Sequence, residues 1–285
     1  MTNALINARD DFARANPEQR VLLNGREWGL IDLAGSGPAL LLIPGTLGRA
    51  DIFWQQMAAL KGRVRILSVS YPDSGGVEEW AGDLISLISD RDIEKVTVLG
   101  SSLGGYLAQY IAAVHPDRVE RLIAANTLYD TAPAKRNPPY SSDLDLAPIE
   151  VLRNGFGRGL GAWADSHPEQ AELVELLLQE VGGRIPELEL RNRLKGIKNA
   201  PDLPASKTSP ANTITIEAAD DPLIPQFMRD EVRAVLIPAV SYHFESGGHF
   251  PYLARPELYT AILEEQLQLV AAGTTEWGNA RERSL

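Results

Sequence analysis

The 285-residue sequence contains no cysteine and only four histidines. Without cysteine the chain can form no disulfide and offers no thiolate, so a nucleophile must be serine, threonine, aspartate or lysine. No group of histidine, aspartate and glutamate residues has metal-ligand spacing, and no glycine-rich loop is followed by Lys-Ser or Lys-Thr as in a phosphate-binding loop. We therefore expect neither a metal nor a cofactor.

Positive charge and long apolar runs are also scarce. The chain has 27 basic and 38 acidic residues, a net charge of −11, which argues against a nucleic acid or an anionic membrane as partner. No run approaches the ~20 apolar residues of a membrane span, and the charged first twenty residues lack the apolar region of a signal peptide. We expect a cytoplasmic protein with a small-molecule substrate, whose oligomeric state these features leave open.

Apolar strand patterns alternate with helical patterns over residues 1–126 and again over 211–285. Asn24-Gly25 between two strand-like runs indicates a hairpin, and the apolar run 39–43 indicates a strand buried on both faces. This order, with its short connections, predicts one α/β core domain built on a mostly parallel sheet with helices on both faces. The polar residues 272–285 are predicted to form a loosely held tail.

Residues 127–210 show no strand pattern. Helical patterns cover 149–156, 168–181 and 187–197, and Ser166-x-x-Glu169 has the spacing of a capping box for the second of them. A helical insertion of about 80 residues in an α/β domain is typical of a lid over an active site, because insertions on rigid scaffolds tend to carry function. The alternative is an appendage without a role in access. Five of its large apolar side chains could line a pocket, although lid core is the favoured interpretation for each: Tyr129, Tyr140, Phe156, Leu160 and Trp163.

The motif Gly100-x-Ser102-x-Gly104 lies between a buried strand, residues 96–99, and a helix whose apolar residues recur from Leu103 at three- and four-residue spacing. This strand–turn–helix context is that of a nucleophile elbow. The two glycines are required because the turn is too tight for a side chain. Ser102 is therefore predicted to have a strained backbone and an exposed hydroxyl.

A serine hydroxyl becomes a nucleophile when a base removes its proton, and a carboxylate must orient that base. In a doubly wound sheet such groups lie at the carboxyl ends of strands. His249 is the histidine in a glycine-flanked loop just after a predicted strand. His115 is predicted to cap the elbow helix, His167 lies inside the capping box, and His243 lies within a strand, so His249 is the candidate base.

Two adjacent carboxylates, Asp220 and Asp221, follow the predicted strand 213–217. Asp221 precedes Pro222 and the rigid turn that ends at Pro225, which could fix its side chain inward. Asp220 could instead bond backbone amides of the same turn. Both remain candidates for the acid on this reasoning, with Asp221 favoured.

An oxyanion hole needs two backbone N–H donors aimed at the developing charge. Leu103 N–H, at the positive end of the elbow helix, is one candidate. The other is Thr46 N–H, in the loop that follows the strand 39–43. Gly45 and Gly48 are expected to let this loop lie close to the substrate.

Four motifs together resemble the α/β-hydrolase superfamily over nearly the whole chain: residues 100–105, Pro44-Gly45, residues 221–225 and residues 248–250. The order Ser, Asp, His is that of this class, and the resemblance implies its fold and favours Asp221 as the acid. Three shorter stretches, 50–54, 102–109 and 247–253, resemble the maspardin-like branch.

Two departures from these families bear on function. Most superfamily members have histidine before the oxyanion glycine, where this chain has Pro44; proline has no N–H, but the expected donor is Thr46. Maspardin itself lacks the triad histidine and is regarded as a binding protein, whereas this chain has His249, which favours catalysis.

The resulting prediction is a cofactor-independent serine hydrolase that cleaves a carboxylic ester or lactone through an acyl-enzyme on Ser102. His249 would act as the base, Asp221 would orient it, and the N–H groups of Thr46 and Leu103 would bind the oxyanion. Two alternatives remain open. One is a non-catalytic, maspardin-like binding or adaptor protein, and the other is a carbon–carbon bond hydrolase with the same triad.

Overall fold

The computed structural model describes residues 3–271, 275 and 277–285. Within them the strands are β1 (Gln19–Leu23), β2 (Arg26–Leu33), β3 (Ala39–Ile43), β4 (Arg65–Ser70), β5 (Val96–Ser101), β6 (Val119–Ala125), β7 (Thr213–Ala218), β8 (Val240–Phe244) and β9 (Glu282–Ser284). The helices are α1 (Ala4–Ala15), α2 (Trp54–Leu60), α3 (Val77–Ser89), α4 (Leu103–Val114), α5 (Ala132–Lys135), α6 (Ile149–Ser166), α7 (Ala171–Gln179), α8 (Glu187–Lys198), α9 (Gln226–Leu236), α10 (Pro251–Ala254) and α11 (Pro256–Gln266).

The strands form one sheet in the order β1-β2-β4-β3-β5-β6-β7-β8-β9. β2 pairs antiparallel with β1 and with β4, and every other neighbouring pair is parallel. The β1–β2 hairpin closes at Asn24 and Gly25, whose φ angles of 48° and 86° suit a tight turn. The predicted hairpin and the mostly parallel sheet are therefore confirmed.

Helices cover both faces of the sheet because its central strands are apolar on both sides. Along β3, Leu40 and Leu42 point into one core layer and Leu41 and Ile43 into the other. The first layer packs against α2 and α11, and the second against α3, α4 and α9. The carboxyl ends of the parallel strands consequently meet at one edge of the sheet, where ligands bind in open α/β folds.

The C-terminal residues differ from the prediction of a loose tail. β9 extends the sheet by pairing parallel with β8, and the buried Arg283 donates from Nη1 to Glu265 Oε1 at 2.6 Å and to the hydroxyl of Tyr242 at 2.9 Å. The tail prediction is wrong for residues 277–285, because strand pairing with β8 and the buried Arg283 hold this polar segment to partners far away in sequence; residues 272–274 and 276 lie outside the described residues. The predicted strand 235–245 is also shorter, since α9 continues to Leu236.

Residues 127–210 form helices and loops between β6 and β7, here called the insertion. α6 extends to Ser166, whose hydroxyl donates back to Ala162 O, so the predicted capping box is wrong. Charged side chains join the insertion to the core: Arg184 pairs with Asp51 at 2.5 Å, and Arg9 of α1 pairs with the buried Glu180 at 2.8 Å. In the part of the chain that the structure describes, no helix is both long and apolar enough to cross a membrane.

Candidate active site

Ser102 stands between β5 and α4 with φ 56° and ψ −119°, a backbone conformation that non-glycine residues rarely adopt. Hydrogen bonds hold it there: Ser102 N donates to Ala125 O at 2.9 Å, and Thr127 Oγ1 donates to Ser102 O at 2.7 Å. The half-buried Ser102 side chain borders a cavity. The strained backbone expected of a nucleophile elbow is therefore present.

The glycines of this turn have no room for a side chain. A Cβ on Gly100 would lie 1.9 Å from Gly104 O, and one on Gly104 would lie 2.1 Å from Ile43 O. Backbone atoms make these contacts, so a side chain could be accommodated only by moving β3 or α4. The sharpness of the turn thus depends on both glycines, as the motif predicts.

His249 and Asp221 meet at the carboxyl ends of β8 and β7, where both are buried. His249 Nδ1 lies 2.9 Å from Asp221 Oδ2 and 3.0 Å from Oδ1. Asp221 Oδ1 also accepts from the N–H groups of Leu223 and Ile224, at 2.8 and 3.0 Å. Burial acts to raise the pKa of Asp221, but the charge and hydrogen bond of His249, with further hydrogen bonds, outweigh it and lower the pKa below its ordinary value.

Asn126 supports this pair and was not identified from the sequence. Its Nδ2 donates to Asp221 Oδ2 at 2.9 Å, and the residue is buried at the end of β6 with φ 42°. Asn126 N also donates to Ile216 O at 2.8 Å, which fixes its position between β6 and β7. A polar residue directly after a buried strand was a usable signal, because carboxyl ends of parallel strands converge.

Asp220 has a different role from its neighbour. Its Oδ1 accepts from Gly248 N at 2.8 Å and its Oδ2 from Gly247 N at 3.1 Å. It therefore bonds backbone amides, as the alternative proposed, but those of the loop that carries His249 rather than those of its own turn. Asp221 is the carboxylate in contact with the imidazole.

Thr46 lines the same cavity as Ser102, and Leu103 directly follows Ser102 in the chain. Leu103 begins α4, and among the described residues neither its N–H nor that of Thr46 donates to a protein acceptor. Gly45 lies directly on the elbow, since a Cβ there would be 3.1 Å from Ser102 Cβ. Gly48 instead packs against Pro44 and Ile52 and does not line the cavity at Ser102.

The loop 44–48 is held in place by two fully buried side chains that the sequence did not reveal. The guanidinium of Arg193, on α8, donates to Gly48 O at 2.7 Å and to Thr46 O at 3.0 Å. The hydroxyl of Tyr71 donates to Pro44 O at 2.9 Å, and Arg193 lies over its ring at 5.3 Å. Burial lowers the pKa of Arg193, only partly countered by the nearby Glu189. The insertion thereby supports the loop that carries Thr46.

Ser102, Thr46 and His249 line one cavity of about 390 Å³, here called the first lobe. Five aromatic or apolar residues of the insertion were assigned to lid core. Four of them line this lobe or an adjoining cavity of about 420 Å³: Tyr140, Phe156, Leu160 and Trp163. Leu160 and Trp163 also belong to the apolar core, because a wall residue can be packed from behind. Tyr129 lines neither.

The arrangement can supply a nucleophile, a base and oxyanion donors around one space. Ser102 Oγ and His249 Nε2 share no hydrogen bond among the described residues of this structure, and catalytic hydrogen bonds often tighten only when substrate binds. No cluster of three histidine, aspartate or glutamate side chains in the described part of the chain could hold a metal ion.

Comparison with known proteins identifies the family. The family model described as "Alpha/beta hydrolase family" matches residues 40–262. Maspardin from Danio rerio is 27% identical over 253 residues, which cover 86% of this chain and 80% of that protein.

Solved structures show the same fold. A hydrolase from Pseudomonas aeruginosa matches with a TM-score of 0.75 and 20% identity, covering 89% of this chain and 99% of the other. The enol-lactonase from Burkholderia xenovorans matches with a TM-score of 0.71 and 19% identity, covering 88% and 100%. The family match spans most of the chain, including the elbow, Asp221 and His249. The chain is a member of the alpha/beta hydrolase family, close to its maspardin branch.

Proposed function

We propose that the chain is a cofactor-independent serine hydrolase that cleaves a carboxylic ester or lactone. The observation that carries this proposal is the buried His249–Asp221 pair, with Nδ1 and Oδ2 2.9 Å apart, on the same cavity as the strained Ser102. A charged aspartate at Nδ1 fixes the histidine tautomer that leaves Nε2 free to accept a proton. A serine elbow that had lost catalysis would not require a buried histidine–aspartate pair beside it.

In the proposed reaction, Ser102 Oγ attacks the substrate carbonyl while His249 Nε2 takes its proton. The carbonyl oxygen becomes an oxyanion, which accepts hydrogen bonds from the N–H groups of Thr46 and Leu103. The carbon–oxygen bond of the ester then breaks, and His249 returns the proton to the leaving oxygen. Water attacks the acyl-enzyme by the same route, with His249 as base, and releases the acid and Ser102.

The insertion is proposed to act as a lid that shapes the substrate site. Tyr140 and Phe156 contribute to the first lobe, and α8 supports the Thr46 loop through Arg193. Access to Ser102 then depends on residues 127–210, while residues 1–126 and 211–285 form the core domain.

Labelling with an alkyl fluorophosphonate tests the nucleophile directly. We expect the wild-type protein to gain one label on Ser102, detected by mass spectrometry, and Ser102→Ala to gain none. Ser166→Ala, which removes an exposed serine outside the cavity, is the matched control and should label normally. Ser102→Ala should also lower kcat/KM for a reactive ester by at least about a thousandfold.

The same experiment separates the rival functions. A protein that neither labels nor turns over esters, lactones or β-diketones would be a binding protein, as its similarity to maspardin allows. Labelling together with turnover of β-diketones alone would indicate a carbon–carbon bond hydrolase. Either result would refute ester or lactone hydrolysis as the function.

A further inference from the structure

A second cavity of about 420 Å³, here called the second lobe, adjoins the first lobe at His249. The two cavities share eight lining residues: Leu47, Pro138, Pro139, Phe156, Pro222, Leu223, His249 and Phe250. Ser102, Gly45 and Thr46 border the first lobe but not the second. The second lobe therefore meets the proposed reaction centre on the histidine side.

Helix α6 forms one wall of the second lobe, and part of this wall has no side chains because two glycines line it. α6 has four glycines at alternate positions, of which Gly155 and Gly159, one turn apart, line the lobe, while Gly157 and Gly161 do not. Each glycine costs a helix about 1 kcal/mol relative to alanine. A Cβ at Gly155 or Gly159 would meet no atom within 4 Å, so packing does not require glycine there. Their effect is to leave the lobe open.

The rest of the lobe is mostly apolar: no carboxylate lines it, and besides His249 its polar side chains are Ser142 and the exposed Arg158. Its apolar lining includes Leu152, Leu160 and Trp163 of α6 together with Leu223 and Phe250. Trp163 is only 8% exposed, and its indole N–H donates to no acceptor among the described residues. Because apolar residues make up most of the lining and Arg158 is exposed, a lobe of this size suits a largely hydrocarbon group.

The proposed mechanism indicates which part of the substrate would occupy the second lobe. His249 must hand its proton to the leaving oxygen, so that oxygen lies beside the imidazole. The acyl carbon is bound to Ser102, and its oxyanion points to the N–H groups of Thr46 and Leu103; Ser102 and Thr46 line the first lobe. The group attached to the leaving oxygen therefore extends past His249.

Resting on the proposed function, we infer that the second lobe binds the alcohol part of the substrate, and that this part is an apolar chain. The enzyme is then selective for esters of medium-chain alcohols, while the acyl group occupies the first lobe. Gly155 and Gly159, which line this lobe, then determine which alcohol chains the enzyme accepts.

The experiment compares three esters: ethyl acetate, octyl acetate and ethyl octanoate. Burying one methylene group favours the reaction by about fourfold, so octyl acetate should exceed ethyl acetate in kcat/KM by at least about a hundredfold even with partial burial. Gly159→Leu places a side chain in the lobe and should therefore lower the ratio of kcat/KM for octyl acetate to kcat/KM for ethyl acetate at least about tenfold. Gly161→Leu is the matched control and should keep the wild-type ratio. Both substitutions favour helix, so folding should be retained.

Two results would overturn the inference. One is an unchanged octyl-to-ethyl acetate ratio in Gly159→Leu, and the other is a wild-type preference for the long acyl chain of ethyl octanoate over octyl acetate.

A binding measurement separates this inference from the proposed function. Calorimetric titration of Ser102→Ala with 1-octanol should show binding that the added Gly159→Leu substitution weakens at least about tenfold and Gly161→Leu does not. If 1-octanol binds but the wild-type protein turns over no ester, the proposed hydrolase activity is refuted and the second lobe is supported as an apolar binding site. If esters are turned over but 1-octanol does not bind, the hydrolase activity is supported and the role of the second lobe is refuted.

Discussion

Replacing Arg193 by methionine should lower both the stability of the protein and its rate of ester hydrolysis, and the two losses can be measured separately. Arg193 is fully buried and donates to Thr46 O, Gly48 O and Glu189 Oε2, at 3.0, 2.7 and 3.3 Å. Methionine fills much of the same volume but cannot donate. The two backbone carbonyls would therefore lose a charged donor in a site that water does not reach.

The magnitude follows from these contacts. A hydrogen bond to a charged group contributes about 1.5–3 kcal/mol, and the guanidinium makes two to buried carbonyls. Methionine also removes the cost of burying a charge, which offsets part of the loss, whereas Glu189 keeps its pairing with Arg20 at 3.2 Å. We expect the free energy of unfolding in urea to fall by about 3 kcal/mol.

The catalytic effect comes from the displacement of Thr46. Removing one oxyanion donor typically costs about 10²–10³ in kcat, and a displaced donor should cost less, about tenfold to a hundredfold. An interaction made only in the transition state lowers kcat and kcat/KM equally and leaves KM unchanged. Arg193→Lys restores the charge but not the planar two-carbonyl contact, so it should recover only part of the rate.

Arg184→Met is the matched control. Arg184 also joins the insertion to the core, through Asp51, and pairs with Glu180 inside the insertion; among the described residues it makes no hydrogen bond or ion pair with the loop 44–48. It should lower stability while leaving kcat within about twofold. If Arg193→Met and Arg184→Met give the same kcat, Arg193 is only a structural tie and the reasoning about the loop is refuted.

Two further predictions concern the strand ends. The ring nitrogens of His243 donate to the carboxylates of Glu217 and Glu282, and these hydrogen bonds raise its pKa above the ordinary value of about 6.5. The stabilising effect of His243 is therefore complete below about pH 6.5 and is lost as pH rises through the raised pKa. The free energies of unfolding in urea of the wild type and of His243→Gln should therefore converge as pH rises from 6 to 9. A difference that stays constant over this range would contradict the prediction. Asp220→Ala leaves Gly247 N and Gly248 N without their acceptor, which should cost about 1–3 kcal/mol in urea unfolding and lower kcat by loosening His249. Unchanged kcat in a destabilised Asp220→Ala would show that this loop does not depend on Asp220.

Local patterns predicted the core elements because their causes are local. The hairpin at Asn24-Gly25, the buried β3 and the turn at Gly100 and Gly104 depend on backbone sterics and on residues within a few positions. Strand ends also placed Asp221 and His249 correctly beside each other, since parallel strands bring their carboxyl ends to one edge. Asn126 followed the same rule and could have been found by it.

The capping prediction at Ser166 failed because its hydroxyl donates back to Ala162 O within α6 instead of capping the next helix. The tail prediction failed because it treated polar residues as locally determined, whereas tertiary contacts decided them. α6 continues to Ser166, and β9 is held by Arg283 against Glu265 and Tyr242, which lie 18 and 41 positions away. Long-range pairing outweighs local propensity where it satisfies a buried charge.

The sequence by itself determined the central parallel strands of the sheet, the elbow and the identity of three candidate catalytic residues, because glycine sterics, apolar periodicity and the order of elements along the chain depend on neighbouring positions. Only the tertiary structure decided that Asp220 holds the His249 loop, that Arg193 supports the Thr46 loop from 147 positions away, and that α6 leaves a second lobe open beside His249. Buried polar groups must find partners wherever the fold places them, and a cavity is what several distant segments leave unfilled. Neither has a local signature.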